Sequence, residues 1–282
     1  MRNIHVSEII KAVEHLCISS NCDLSPDIYD VLVKEKNAET APISKNILEQ
    51  LIENADIARS TQRPICQDTG MAVFFIEIGQ DVHIEGGSLT EAISKGVDHG
   101  YQNGYMRNSV VADPINRINT GNNTPPVIHY DVVEGDGLKI SIMPKGFGSE
   151  NMSALKMLKP SDGIEGVKSF IMETVKTAGP NPCPPIVIGV GIGGTMEKAA
   201  ILSKRALLRP VGESGRNPLP HIHALENELL GKINSLGIGP AGLGGHLTAL
   251  GINIETYPTH IAGLPVAVNI SCHVTRHSSV KL

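Results

Sequence analysis

The sequence has 282 residues and a net charge of −5, with 41% hydrophobic and 19% charged residues. That length is enough to bury an apolar core in one large domain or in two smaller ones. Lysine and arginine are scattered, aromatic residues make up only 3% of the chain and tryptophan is absent, which argues against nucleic acid or a membrane surface as a partner.

The first sixty residues are predicted to form three helices. Apolar residues recur at helical spacing over residues 6–17, a second helix begins at Pro26 behind the N-cap Ser25, and a third covers residues 44–59. Cys17 belongs to the apolar stripe of the first helix, so burial in the core is its expected role. Cys22 lies in a polar turn and receives no assignment.

After residue 62 strands and helices alternate. A strand is predicted over residues 71–78, and Ser88 and Glu91 form a capping box for a helix that ends near residue 103. Residues 127–133 and 138–143 are predicted to form a β-hairpin around residues 134–137.

The second half continues this alternation. Helices are predicted over residues 164–178, from Thr195 onwards and over 221–235, with strands over 186–192, 248–255 and 265–271. The expected fold is mixed α/β (α+β), with one catalytic domain over residues 1–282. Its helical N-terminal layer, residues 1–62, is expected to pack on a mixed-sheet body, residues 63–282, that carries its site on loops.

The N-terminus and the cysteines indicate the cellular compartment. Glu8, Lys11 and Glu14 interrupt the first apolar pattern, so no signal peptide is predicted, and the longest apolar run is too short to span a membrane. A soluble, cytoplasmic protein is expected. Its five cysteines are odd in number and widely spaced, which indicates metal binding, catalysis or burial rather than disulfides.

Residues 189–194 (GVGIGG) fit the G-x-G-x-x-G pattern of dinucleotide-binding turns. That pattern also requires a second strand ending in an acidic residue about twenty residues later. Glu213 has nearly this offset, but a continuous helix and a short Pro/Gly-rich stretch precede it, so an NAD site is not favoured. Two interpretations stay open: glycines that allow close strand–helix packing, and a helix N-terminus that faces an anion or a metal cluster.

The three other cysteines each lie in a loop of unusual composition. Cys66 precedes Gln67 and Asp68 before a strand, three prolines surround Cys183, and Cys272 ends the last strand. A cysteine that only fills the core needs neither a proline cage nor such polar neighbours. Together they suggest three thiolates brought from distant segments, unlike the short spacings of zinc fingers.

Three thiolates are one fewer than a closed four-cysteine iron–sulfur cluster requires. A cubane cluster held by three cysteines leaves one iron without a protein ligand, and such an iron can act as a Lewis acid on a hydroxyl and a carboxylate. A scaffold that binds zinc, or that keeps its thiols free, is the non-catalytic alternative.

Six short motifs occur in one order: residues 63–70 (RPICQDTG), 145–151 (KGFGSEN), 181–185 (NPCPP), 189–195 (GVGIGGT), 258–265 (PTHIAGLP) and 269–273 (NISCH). They resemble class I fumarases and L-tartrate dehydratases, in particular the alpha subunit of their two-subunit forms. The resemblance implies a [4Fe-4S] cluster on Cys66, Cys183 and Cys272. It also implies an oxygen-sensitive hydro-lyase, with a small dicarboxylate bound at the free iron.

The same resemblance assigns five further residues. It implies proton transfer by Asp68 and substrate contacts from Gln67, Arg107, Gly148 and His260. An arginine fork suits a carboxylate independently of the resemblance. From the residues alone, Arg107 could equally form a surface ion pair, His260 could bond the backbone of a turn, and Asp68 could form a turn.

The implied reaction is the reversible hydration of fumarate to L-malate, with L-tartrate or a methyl-substituted dicarboxylate as the alternative substrate. A beta subunit is expected to carry further cations and the proton-abstracting base. The chain should then hold half of an active site, in an α2β2 heterotetramer with homodimer contacts. Lys145 and His246 lie near the motifs and receive no role.

Overall fold

The computed structural model describes residues 2–282, which divide into two units. The first unit contains residues 2–25, 54–147 and 276–282, and the second contains residues 26–53 and 148–275. Helices and strands occur in both, so the predicted mixed α/β class is confirmed. Within residues 2–282, no helix combines the length and the apolarity that a membrane crossing requires. The single catalytic domain with parts at 1–62 and 63–282 stays a prediction.

The helices and strands have these bounds in chain order: β1 (Arg2–His5), α1 (Val6–Cys22), α2 (Pro26–Ala38), α3 (Pro42–Thr61), β2 (Met71–Gly79), β3 (Val82–Glu85), α4 (Leu89–Asn103), β4 (Val127–Val133), β5 (Leu138–Lys145), α5 (Phe147–Glu150), β6 (Ala154–Leu158), α6 (Gly163–Ala178), β7 (Ile186–Gly193), α7 (Met196–Ala206), α8 (Pro220–Asn234), β8 (Ala249–Tyr257), β9 (Leu264–Ser271) and β10 (Ser278–Lys281). Every predicted helix and strand is present. The short strands β1, β3, β6 and β10 were not predicted, because four or five residues carry too little periodicity.

The sheet of the first unit has the strand order β10-β5-β2-β4. The predicted hairpin is wrong, because β2 lies between β4 and β5, parallel to the former and antiparallel to the latter. Five consecutive residues of β2 are buried whereas β4 is largely exposed, so the more apolar strand takes the centre. The connection between β4 and β5 instead crosses the end of β2, where the Gly79 N–H donates to the Gly137 carbonyl at 2.9 Å.

Helices α1 and α4 pack together against this sheet. Gly100 of α4 faces α1 so closely that an added Cβ would lie 2.7 Å from the Cβ of Cys17. Cys17 is fully buried in this core, as predicted. At the end of α4, the Tyr101 hydroxyl lies 3.0 Å from the Gly70 carbonyl oxygen, directly before β2.

The sheet of the second unit has the order β6-β9-β7-β8, with β7 parallel to β8 and antiparallel to β9. Alternate residues of β7 face opposite sides. Ile188 and Val190 pack with α6 and α8, whereas Gly189 and Gly191 face α7. An added Cβ on Gly189 would lie 2.1 Å from the Ser203 carbonyl oxygen, so α7 rests directly on the strand backbone.

These contacts explain the G-x-G-x-x-G pattern through close strand–helix packing. Glu213 begins a short 3-10 turn, and within the described chain no strand lies between α7 and that residue. The second strand of a dinucleotide-binding unit is therefore missing.

Gly189→Ala is expected to lower the free energy of unfolding by about 1–3 kcal/mol, because the added methyl group meets helix backbone that has no room to move. Urea titration of the metal-free chain measures this change. Gly231→Ala in α8 is the matched control: nothing lies within 4 Å of its added Cβ, so it should stabilise by about 0.5–1 kcal/mol. Equal effects of the two substitutions would contradict the packing role.

Candidate active site

The turn that carries Cys66 lies in the first unit, between α3 and β2. Asp68 is half-buried there, and its carboxylate accepts two hydrogen bonds, from the Gly70 N–H at 3.0 Å and from the Phe147 N–H at 2.9 Å. The first bond is the ordinary turn contact of an aspartate. The second comes from a residue 79 positions away, so the carboxylate is fixed by more than turn formation. Gln67 is exposed beside it.

Arg107 is tied to the same turn through its backbone. Its N–H donates to the Thr69 hydroxyl at 3.1 Å, and that hydroxyl lies 3.3 Å from the Arg107 carbonyl oxygen. The buried Asn123 accepts from Ser109 N–H at 2.7 Å and donates to the Gly70 carbonyl at 3.1 Å. The first unit therefore brings Asp68, Gln67 and Arg107 together, with the Arg107 side chain exposed.

Two further residues hold this turn and were not identified from the sequence. Arg276, which is 2% exposed, donates to the Asp68 carbonyl at 3.0 Å and to the Asn21 side-chain oxygen at 2.7 Å. The buried Tyr101 hydroxyl lies 2.9 Å from the Thr69 carbonyl oxygen, and burial raises the pKa of Tyr101. The only signal in the sequence was that Arg276 follows Cys272 by four residues.

Cys183 and Cys272 lie in neighbouring loops of the second unit. His273, directly after Cys272, donates to the Cys183 carbonyl from Nδ1 at 3.0 Å, and its backbone N–H lies 3.4 Å from the same oxygen. Cys183 has φ 56, a left-handed conformation that is uncommon for a residue with a Cβ and that occurs often at functional sites. Its backbone is therefore held in an unfavourable conformation by its surroundings.

The glycine-rich loop of residues 237–246 packs beside the Cys183 loop. The Ala241 N–H donates to the Pro184 carbonyl at 2.8 Å, and the His246 N–H donates to a carboxylate oxygen of Glu39 at 3.0 Å. Burial alone would raise the pKa of Glu39, but the N–H groups of residues 41, 246 and 40 outweigh it and lower that pKa. These bonds fix the loop, while the exposed His246 side chain has no assigned role.

Gly148 is exposed in the short helix α5, and nothing lies within 4 Å of an added Cβ. Its neighbour Glu150 is anchored by an ion pair with Lys204 and by a hydrogen bond from the Asn269 amide at 2.9 Å. The motif 145–151 is therefore attached to β9, the strand that leads to Cys272, and its Gly148 faces open space.

His260 occupies a different place in the second unit. It lies in the turn between β8 and β9, where Thr259 donates to the Gly194 carbonyl at 3.0 Å, at the end of β7. Cys183 precedes the start of β7, and the register pairs Ser271 with Val187 at that same start. The structure thus places His260 away from the two cysteines by roughly 25 Å, the length of an eight-residue strand.

The N-terminus of α7 lies at this same distant end. Glu197 occupies its first turn, and the Thr195 hydroxyl donates to the Glu197 carboxylate at 2.6 Å. This hydrogen bond lowers the pKa of Glu197, so an acidic side chain of the chain itself already stands at the helix N-terminus. The interpretation of this helix end as facing a cluster beside Cys183 is not supported.

The five thiols fall into two groups. Cys17 and Cys22 are fully buried, and burial followed by the charge of a neighbouring carboxylate raises the pKa of both. Cys66 and Cys272 are half-buried and Cys183 is exposed. Because thiolates rather than thiols bind metals, the second group contains the better ligands.

No three His, Cys, Asp or Glu side chains of residues 2–282 form a ligand group for a single metal ion. In a cubane cluster the thiolates bind different irons, so the ligands of a cluster need not converge on one point. The structure pairs the loops of Cys183 and Cys272, and the convergence of Cys66 with them stays a prediction.

Comparison with known proteins adds a further finding. Residues 10–281 match the model of the family described as fumarate hydratase (Fumerase). A Methanocaldococcus jannaschii protein, provisionally named L(+)-tartrate dehydratase subunit alpha, is 47% identical over 261 residues, or 90% of each chain. The L(+)-tartrate dehydratase alpha subunit of Escherichia coli strain UTI89 is 34% identical over 281 residues, or 98% of this chain and 91% of the relative.

In the metal-free folded chain, Cys183 is expected to react fastest with iodoacetamide, followed by Cys66 and Cys272, whereas Cys17 and Cys22 stay unmodified. Burial and a raised pKa both suppress the thiolate of the last two. Peptide mass spectrometry after timed alkylation gives each rate, and alkylation in urea supplies the unfolded control. Modification of Cys17 as fast as Cys183 would contradict the grouping.

Proposed function

The chain belongs to the fumarate hydratase family, and from this we propose that it is the alpha subunit of a [4Fe-4S]-dependent hydro-lyase that reversibly hydrates fumarate to L-malate. The observation that carries the proposal is the division of the thiols: two are buried, and the three accessible ones lie in the loops that resemble the family's motifs. Supporting it, Arg276 is bonded to the backbone of Asp68.

Cys66, Cys183 and Cys272 would hold the cluster. Soft thiolate donors on loops fixed by side-chain and backbone hydrogen bonds suit an iron–sulfur cofactor. When bound, the cluster supplies an iron without a protein ligand, which acts as a Lewis acid toward a hydroxyl and a carboxylate. A zinc-binding scaffold would use the same thiols but would be colourless and inactive.

The residues of the chain bind and orient the dicarboxylate. The exposed Arg107 guanidinium holds a carboxylate in a bidentate fork, and the exposed Gln67 amide and Gly148 backbone add hydrogen bonds. Asp68 transfers a proton, and its two backbone donors keep the carboxylate in one orientation. The substrate contact of His260 stays a prediction, and this residue lies far from Cys183 and Cys272.

A beta subunit completes the proposed enzyme. The relatives are named as alpha subunits, which implies a partner. A dicarboxylate carries two negative charges, and the partner supplies cations for the second carboxylate together with the base that removes the C3 proton. The proposed assembly is α2β2 and the proposed location is the cytoplasm.

L-Tartrate is the second candidate substrate, because the relatives described above are named L(+)-tartrate dehydratases. Tartrate differs from malate by one additional hydroxyl group. A site with a hydrogen-bonding partner for that hydroxyl discriminates strongly against the analogue that lacks it. The choice between the two substrates therefore depends on a few polar contacts around C3.

Anaerobic reconstitution with iron and sulfide should give a brown chain with about four irons. Activity on fumarate should require added beta subunit, and L-tartrate and methyl-substituted substrates assayed in parallel decide the specificity. Cys66→Ser, Cys183→Ser and Cys272→Ser should each abolish the cluster absorbance, whereas Cys17→Ser keeps it. Full activity of the chain alone would contradict the shared site, and one colourless metal per chain would favour the scaffold.

Asp68→Asn is expected to lower kcat by about 10²- to 10⁴-fold in the reconstituted pair, because the amide cannot transfer the proton. The resemblance predicts that His260→Ala raises KM, whereas the place of this side chain at the other end of the sheet predicts kcat and KM near their wild-type values. Steady-state kinetics at equal iron content tests both. A large rise in KM for His260→Ala would establish the substrate contact that the resemblance implies.

A further inference from the structure

The turn of residues 63–70 has no helix or strand of its own, so side chains satisfy its carbonyl groups. Four side chains from four segments do this: Asn54 to Ile65 at 2.9 Å, Arg276 to Asp68 at 3.0 Å, Tyr101 to Thr69 at 2.9 Å and Asn123 to Gly70 at 3.1 Å. The conformation of this turn therefore depends on residues that are distant from it in sequence.

Arg276 differs from the other three in carrying a charge. Its guanidinium is 2% exposed and bonds neutral oxygens, the main-chain carbonyl of Asp68 and the side-chain amide of Asn21. Its Nε has no hydrogen-bond partner among residues 2–282. A buried cation whose partners are neutral is unfavourable for stability, because desolvation outweighs such contacts. A neutral side chain could bond the Asp68 carbonyl equally well, so this hydrogen bond alone does not explain a buried arginine.

The second hydrogen bond of Arg276, to Asn21, explains why the two donor nitrogens of an arginine are useful here. Asn21 is fully buried, and its main-chain carbonyl accepts a hydrogen bond from the N–H of Ile65, the residue before Cys66, at 2.9 Å. Arg276 thus connects the residue that anchors the start of the turn with the carbonyl of Asp68 near its end. A lysine carries its N–H donors on one nitrogen and could not hold both oxygens in the same planar geometry.

We infer that Arg276 is a positioning residue of the active site, which acts by fixing the turn of residues 66–70 and thereby the direction of the Asp68 carboxylate. The inference rests on the proposed function. Rotation of the Asp68 peptide unit, which this hydrogen bond prevents, would move the carboxylate away from its donors at Gly70 and Phe147. A displacement of about 1 Å can lower the rate by roughly 10²-fold.

Three variants test the inference in the reconstituted pair with beta subunit. Arg276→Ala should lower kcat by about 10²-fold with little change in KM, because the orientation of the proton-transferring group is lost while the carboxylate contacts stay. Arg276→Lys should fall in between, since it keeps the charge but not the fork. Asn54→Ala is the matched control for rescue by guanidinium, because it removes a hydrogen bond to the same turn from a neutral side chain.

Two readouts separate positioning from general loss of structure. Millimolar guanidinium should restore part of the activity of Arg276→Ala by filling its cavity, whereas urea, a neutral molecule of similar shape, should not. Neither should restore Asn54→Ala. In the metal-free chain, iodoacetamide should modify Cys66 several-fold faster in Arg276→Ala than in the wild type, with the rate at Cys183 unchanged.

The inference is overturned if both Arg276 variants keep wild-type kcat and wild-type reactivity of Cys66, or if urea rescues as well as guanidinium. If Arg276→Ala does not fold, Arg276→Lys carries both measurements. An inactive wild-type pair together with accelerated Cys66 modification in the variant would refute the proposed hydro-lyase but support the role of Arg276 in fixing the turn. Failure of the proposed function and failure of this inference are thereby distinguishable.

Discussion

A cysteine loop without regular secondary structure must have its backbone polar groups satisfied from elsewhere, and the candidate site depends on how this chain does so. In the turn of Cys66, side chains from α3, α4, the loop after α4 and the C-terminal segment bond the carbonyl groups. Ile65, Thr69 and Gly70 are buried, so a missing bond to one of their carbonyl groups would cost about 1–3 kcal/mol. The hydrogen bonds that satisfy the carbonyl groups of the turn also fix the direction of the Asp68 side chain. One set of hydrogen bonds therefore maintains both stability and catalytic geometry.

The second unit reaches a comparable rigidity by close backbone packing. Gly189 and Gly191 let α7 lie against β7, and the opposite face of that strand carries the apolar core under α6 and α8. A strand held from both faces gives fixed ends, and the loops of Cys183 and Cys272 emerge together at one of them. The G-x-G-x-x-G pattern alone does not reveal this packing. It records the positions of the glycines but not which face of the strand they leave free for a helix.

Periodicity and capping residues predicted the helices and the longer strands, since those signals are local. Pairing was not predictable in the same way: β4 and β5 are adjacent in sequence, yet the more apolar β2 separates them because a central strand must be buried on both faces. Proximity in sequence is also no measure of proximity in space. His260 is twelve residues before Cys272 in the sequence, but the strand β9 between them carries the two residues to opposite ends of the sheet. Arg276 shows the converse, because its partner Asp68 is 208 positions away.

The distribution of cations within the first unit bears on why the active site would be shared. Arg276 and Lys145 are 2% and 1% exposed, and both direct donors toward main-chain carbonyls, of Asp68 and Gly146 respectively. These two buried side chains bond the backbone and are not accessible to a substrate carboxylate. Arg107 differs, because its backbone is tied to Thr69 while its side chain is exposed. One free arginine fork can neutralise one carboxylate. In the proposed enzyme, the second carboxylate of the substrate needs another cation, and the proposed beta subunit would supply it.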